Sequence, residues 1–291
     1  MEKPHTPVLL SEVLAYLEPH PGEKYLDLTA GYCGHASKIL DVTQNYKDSV
    51  LVDRDEFAAN YLKQEFSSSI EIINMDFYSA VLQLLKCGKT FDIILADFGV
   101  SSPQLDMKNR GFSFQNEGPL DMRMDQKQSL TAADIVNKYS ERELASIIEA
   151  YGEEPSGRAK MLARLIVHHR PFTNTKELAD LIKSKSRYSK LHPATKTFQA
   201  IRIAVNSELK QIEDTLPLLP KILNTGGRLG IITFHSLEDR LTKNYFKSAS
   251  SLGEESPLEI VNKKPIVADP EELVINPRAR SAKLRVAIKR N

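Results

Sequence analysis

The chain has only two cysteines, Cys33 and Cys87, too few for a disulfide framework or a structural zinc site. It also lacks an excess charge of either sign. With 39 basic and 38 acidic residues its net charge is +1, so any surface that holds nucleic acid must be local. No stretch approaches the ~20 apolar residues of a membrane span. The opening run from Met1 to Leu14 has no charged segment leading into a long apolar one. A soluble, cytoplasmic protein with no membrane partner is the expectation. No repeat and no low-complexity tract is evident, and no metal site is expected. What is present is length and apolar content: 291 residues, 41% of them hydrophobic, enough for a full core in one large or two smaller domains.

The first third alternates strand and helix. A short amphipathic helix over Pro7–Leu17 is broken by Pro19, Pro21 and Gly22. Tyr25 to Thr29 reads as a buried strand, running through a turn at 30–34 into a helix ending near Leu40. Ser49–Val52, Ile70–Ile73 and Phe91–Ala96 read as further strands, with helices over Phe57–Phe66 and Ser79–Leu85. These strands are too apolar to have a wet face, which predicts a mostly parallel sheet covered on both sides. From about 108 to 205 no strand is evident. Helices are predicted over Ala132–Asn137, Glu141–Tyr151, Ser156–His169, Thr175–Lys185 and Thr195–Leu209. The α/β pattern then returns with a helix over Ile212–Leu223, a turn at Thr225-Gly226-Gly227 and a strand over Leu229–Phe234. The expected organisation is an α/β domain of residues 1–107 and 206–291, with an all-helical domain, 108–205, inserted at the edge where open sheets bind ligands.

Acidic residues stand at three strand ends: Asp27, Asp53 and Asp97. Between the first two, Gly31 and Gly34 allow a tight turn and a close backbone approach to a ligand. This much suits NAD as well as S-adenosylmethionine. The loop is not Gly-x-Gly-x-x-Gly, so the close diphosphate approach is missing. A carboxylate at Asp27 suits an ammonium and a sulfonium better than a diphosphate, and Asp53 is placed for a ribose diol. S-adenosylmethionine is therefore the expected cofactor.

The segment Asp97-Phe-Gly-Val-Ser101-Ser102-Pro103-Gln104 follows the fourth strand, beside the expected pocket. A polar residue next to a proline there partly resembles the loop of amino-methyltransferases, although Gln104 stands where a second proline would. An exocyclic amine is a poor nucleophile because its lone pair is drawn into the ring. Acceptors on its hydrogens favour attack and stabilise the developing charge. Asp97, Ser101, Ser102 and Pro103 are the catalytic candidates. Carbon methylation of a pyrimidine would need a cysteine in this loop, and neither cysteine is there.

Other segments admit two readings. Arg110-Gly-Phe-Ser-Phe114 and Pro119 to Asp125 form either a clamp on a flipped base or a packed connector. His235, beside Glu238 and Asp239, is a base or a structural histidine. The basic run Arg278, Arg280, Lys283, Arg285 leads into an alternating strand over Leu284–Ile288, expected at a sheet edge. Lys183, Lys185, Arg187, Lys190 and Lys196 form a second basic stretch.

Together these motifs resemble the ribosomal RNA small subunit methyltransferase H family, also called MraW. The matching segments run nearly end to end: His5–Leu14, Val52–Asp55, Asp97–Asp106, Arg110–Phe114, Gly118–Asp125, Phe198–Asn206, Phe234–Arg240 and Asn276–Arg285. The resemblance implies a class I, Rossmann-like methyltransferase domain with an inserted helical substrate-recognition domain. It implies N4 methylation of a cytosine in the decoding region of 16S rRNA, with the small ribosomal subunit as partner. It also implies cofactor contacts from Cys33, Gly34, His35, Asp53, Phe77, Asp97 and Gln104. The chain departs from the family at Tyr32 and Cys33, where glycines are usual, at Ala36 for serine and at Glu117 for aspartate. It has no cysteine-rich stretch between Ser248 and Pro270. Two rival readings stay in view: an NAD-dependent dehydrogenase, and an RNA-binding ribosome-assembly factor with a degenerate cofactor pocket. A monomer and a homodimer are both compatible with the sequence.

Overall fold

Short apolar runs become strands wherever a helix can cover each face. In the computed structural model, which describes residues 7–115, 117–185, 192–251 and 253–290, α1 (Leu10–Leu17) is followed by β1 (Tyr25–Asp27), α2 (Gly34–Thr43) and β2 (Val50–Val52). Then come α3 (Glu56–Phe66), β3 (Glu71–Ile73), α4 (Phe77–Lys86) and β4 (Phe91–Asp97). Asp55 and Asp76 start α3 and α4 by accepting the backbone N–H of Phe57 and Ser79, the usual use of aspartate at a helix N-cap. Six helices follow: α5 (Ser102–Asp106), α6 (Ala132–Lys138), α7 (Glu141–Gly152), α8 (Ser156–His168), α9 (Thr175–Ser184) and α10 (Thr195–Asn206). The chain returns through α11 (Glu208–Thr215) and α12 (Leu219–Ile222) to β5 (Leu223–Thr233). It ends with α13 (Ser236–Ala249), β6 (Leu258–Ile260), α14 (Pro270–Ile275) and β7 (Lys283–Lys289). Arg187 and Lys190 of the second basic stretch, and His5 of the first motif, lie outside the described residues.

Backbone contacts divide the chain into two units, Met1–Gly99 with Leu209–Asn291, and Val100–Glu208. In the first, seven strands lie in the order β3-β2-β1-β4-β5-β7-β6, and the first five are parallel. Only β7 runs against its neighbours. The pleat sends alternate residues to opposite faces. Ile94 and Ala96 join Leu26, Leu229 and Ile231 on one side, while Ile93 and Leu95 join Tyr25, Leu51 and Ile232 on the other. Both faces are dry, which is why β1 and β2 show no alternation in sequence.

Two expectations at this end of the sheet change. The strand holding Leu284–Ile288 is interior, because β6 pairs along its other side. Thr225-Gly226-Gly227 lies inside β5, where the ladder jumps from Phe91–Leu223 to Ile93–Arg228. Gly226 has φ +78°, and a side chain at Gly227 would meet the Asn224 carbonyl at 2.7 Å, so the pair forms a bulge rather than an end.

The second unit has its own core, with Leu144, Ile148, Leu162, Ile166, Leu178, Ile182, Phe198 and Ile201 at helical spacing. Thr131 and Ser140 start α6 and α7 with reciprocal capping boxes. The helix expected to run from Thr195 to Leu209 breaks at Ser207, which has φ +51°. The loop before α6 is held by close backbone approach. A Cβ on Gly111, which has φ +70°, would lie 2.0 Å from the Pro119 carbonyl oxygen and 2.9 Å from Asp121 N. Gly111→Ala is therefore expected to cost more than about 3 kcal/mol, read as a lost or strongly lowered unfolding transition for this unit in urea.

Candidate functional site

The carboxyl ends of parallel strands are where open sheets bind ligands, and here β1 and β4 end at an aspartate and β2 is followed by one. Asp53 follows β2. Its Oδ2 accepts the Gly31 N–H at 2.8 Å, and its Oδ1 accepts the Asp55 N–H at 2.8 Å. Gly31 has φ +52°, so the turn after β1 is fixed by the carboxylate at the end of β2. Cys33 also lies in the left-handed region, with φ +59°, and heads α2. A side chain there costs backbone strain that glycine would avoid. Burial pushes the Cys33 thiol up to about 11, with the Glu65 charge adding to the shift, so the sulfur is neutral near pH 7 and is no nucleophile. A Cβ on Gly34 would meet Pro7 at 3.0 Å, so the N-terminal segment crosses the head of α2 closely.

His35 is buried, and its Nε2–H donates to the Val8 carbonyl at 2.8 Å. That bond leaves Nδ1 toward Asp97, 4.0 Å from Oδ2. Asp97 ends β4. Its backbone N–H donates to Thr29 Oγ1 at 2.6 Å. About a quarter of its side chain (24%) is open, yet Oδ1 is buried and accepts no hydrogen bond. Burial raises the Asp97 carboxyl well above the usual range, and the charges of Asp27 and Glu238 raise it further. Burial likewise pushes Asp27 up to about 6 and Asp53 up to about 7. Among the described residues no lysine or arginine pairs with any of the three. A nest of carboxyl groups without a resident cation fits a ligand that brings its own positive charges, an ammonium and a sulfonium. Phe77, the first residue of α4, lies against Phe98 with ring centroids 5.3 Å apart.

The remaining sequence candidates sit in the second unit. Ser101 caps α5 by accepting Gln104 N–H, and the Gln104 side-chain Oε1 accepts Ser101 N–H at 3.1 Å, with Pro103 in the first turn. Ser102 and Gln104 are buried. The loop is thus a rigid helix start that begins four residues along the chain from Asp97.

Several of the open alternatives close on structural roles. Arg110 is fully buried, donating to the carbonyls of Arg123 and Met124, and Arg123 forks onto Asp121 at 2.9 and 2.8 Å. Asn206 ties the same loop by donating to Met122 O and accepting from Met124 N. The segment is a packed connector, and its arginines are not presented to phosphate. His235 caps α13, while Glu238 accepts the N–H groups of Phe234 and His235. In the C-terminal run, Lys283 and Arg285 pair with Asp239 at 3.3 and 2.7 Å, and the side chains of Arg278 and Arg280 are exposed. Sequence reasoning missed Thr29 and Tyr25. Thr29, two residues after Asp27, was the available signal.

Sheet order, strand-end carboxyls and turn together define a class I methyltransferase that takes S-adenosylmethionine. Residues 2–290 match the model of the MraW methylase family. The chain belongs to that family. It is 46% identical to the ribosomal RNA small subunit methyltransferase H of Nostoc sp., covering 98% of this chain and 92% of that one. It is 43% identical to the protein of the same name from Acidobacterium capsulatum, covering 98% of each. Among solved structures, an rRNA methylase from Streptococcus thermophilus aligns with TM-score 0.45 and 10% identity, over 100% of this chain and 99% of that chain.

Proposed function

We propose that this protein methylates the exocyclic N4 of a cytosine in the decoding region of 16S rRNA, acting in the cytoplasm on the small ribosomal subunit. The observation that carries the reading is the Asp97 carboxyl, open on one side and with a buried Oδ1 that has no partner, at the strand end leading into the Ser101–Gln104 turn. On its open side that carboxyl can accept an N–H of the cytosine amine. That holds the nitrogen with its lone pair turned out of the ring plane and stabilises the positive charge that grows on it. S-adenosylmethionine supplies an already activated methyl group, so alignment in a dry site is the main demand on the protein. Ser101, Ser102 and Pro103 form the capped turn that follows Asp97 in the chain. The neutral Cys33 thiol supports nitrogen over ring-carbon attack.

Asp53 binds the cofactor ribose, the turn containing Cys33, Gly34 and His35 holds the methionine part, and Phe77 packs by the adenine. The helical unit and the exposed Arg278 and Arg280 hold RNA, with counterion release as the driving force. The test is methyl transfer from labelled S-adenosylmethionine to small subunits from cells lacking this gene, followed by nucleoside analysis. Labelled N4-methylcytidine is expected. Label on another nucleoside overturns the assignment, and RNA binding without label turns the reading to an assembly factor.

A further inference from the structure

We propose that Thr29 and Tyr25 are positioning residues for methyl transfer, forming with Asp27 and Asp97 one hydrogen-bonded chain that sets where the two carboxylates stand. The Tyr25 hydroxyl donates to Asp27 Oδ2 at 2.6 Å, and Thr29 N–H donates to Asp27 Oδ1 at 3.0 Å. Thr29 Oγ1 in turn accepts the backbone N–H of Asp97 at 2.6 Å. Thr29 therefore takes hold of both strand ends, using its backbone for β1 and its hydroxyl for β4. The regular ladder between these strands pairs Asp27 with Leu95, and Leu28 N–H extends it to the Leu95 carbonyl. Beyond that point the β4 backbone has left the ladder, and Asp97 N–H would lack a partner on β1 without the threonine hydroxyl.

Tyr25 is fully buried and Asp27 is 2% exposed, so the pair acts from beneath the site rather than by touching a ligand. A buried phenol donating to a carboxylate favours its ionised form. Asp27 thereby supplies negative charge behind a cation-binding site. The groups facing it are Tyr25 on its own strand, Asp53 after β2, Asp97 at the end of β4 and Cys33 at the head of α2. Asp97 is faced by Asp27, by His35 of α2 and by Glu238 of α13.

The inference rests on the proposed function for its kcat arm, while its cofactor-affinity arm needs no RNA. The experiment uses the full chain with S-adenosylmethionine, measuring affinity from pH 5.5 to 8.5 and steady-state transfer to unmodified small subunits. Thr29→Val keeps the shape and the N–H but removes the acceptor. It is expected to lower kcat about tenfold with KM for the cofactor within about twofold, and Thr29→Ser is expected to restore kcat. Tyr25→Phe is expected to weaken cofactor binding about fivefold at pH 7 and to move the midpoint of its pH dependence upward. A purely structural role would lower Tm in both variants and leave the kcat–KM split and the pH midpoint where they are in the parent, and that result overturns the proposal. If Tyr25→Phe does not fold, the Thr29 pair decides. If the parent protein does not modify cytosine N4, that reading of function fails, and the affinity arm still tests the chain.

Discussion

Binding of S-adenosylmethionine is expected to release about one proton near pH 6.5, and affinity is expected to fall roughly 30- to 100-fold between pH 7.5 and pH 5.5. The reason is the set of three strand-end carboxyls. Without ligand, burial holds Asp27 at about 6, Asp53 at about 7 and Asp97 well above its ordinary value, so a share of them carries a proton near neutrality. A cationic ligand stabilises the ionised forms and drives those protons off. The sign for stability follows from the same shifts. These groups have folded-state values above the unfolded value of 3.8. Their contribution is fully present below about pH 4 and is lost as pH rises through about 6 and 7. Tm of the ligand-free protein is therefore expected to decline across that window, with the cofactor offsetting the decline. Titration calorimetry at pH 6.5 in two buffers of different ionisation enthalpy reads the proton directly. Equal heats in both buffers would remove the carboxyl nest as the cofactor's electrostatic partner.

The second large effect is at Asp97. Asp97→Ala is expected to lower kcat by about a hundred- to a thousandfold, with Tm of the ligand-free protein unchanged or higher. That combination is unusual for an interior position. It arises because the carboxyl is half-buried, has no partner at Oδ1 and is held against its own ionisation by burial, Asp27 and Glu238. Asp97→Asn keeps an acceptor and loses the charge, so its activity is expected between those of parent and alanine variant. An alanine variant that methylates at the parental rate would show that Asp97 has no part in the chemistry.

The parts of this site visible in the sequence are those whose position is local. Asp27, Asp53 and Asp97 could be read because each directly ends an apolar run, and the turn at Gly31 because its glycine stands between two such strands. The helical stretch could be read because amphipathic spacing is a short-range property. Roles that depend on distant partners were not visible. Nothing near Thr29 in sequence indicates that its hydroxyl takes the N–H of Asp97, 68 positions away. Arg110 looks like a phosphate ligand until its guanidinium is found on the Arg123 and Met124 carbonyls. The edge assignment of Leu284–Ile288 failed for the same reason, since β6 is only three residues long and its pairing partner lies well downstream. The bulge in β5 is likewise a property of the β4–β5 register, and its Gly-Gly pair alone reads as a turn.

The placement of the helical unit between β4 and β5 also constrains how the chain is made. These two strands are sheet neighbours, with Ile94 beside Leu229, yet the whole of Val100–Glu208 is synthesised between them. At roughly 5–20 residues per second, the first four strands leave the ribosome about 6–27 s before the fifth. During that interval β4 presents an unpaired edge while the helical unit, with its own core, can already fold. The nascent chain thus passes through a stage with one finished unit and one half-built sheet, and that stage is where a chaperone or an aggregation-prone contact has most opportunity to act.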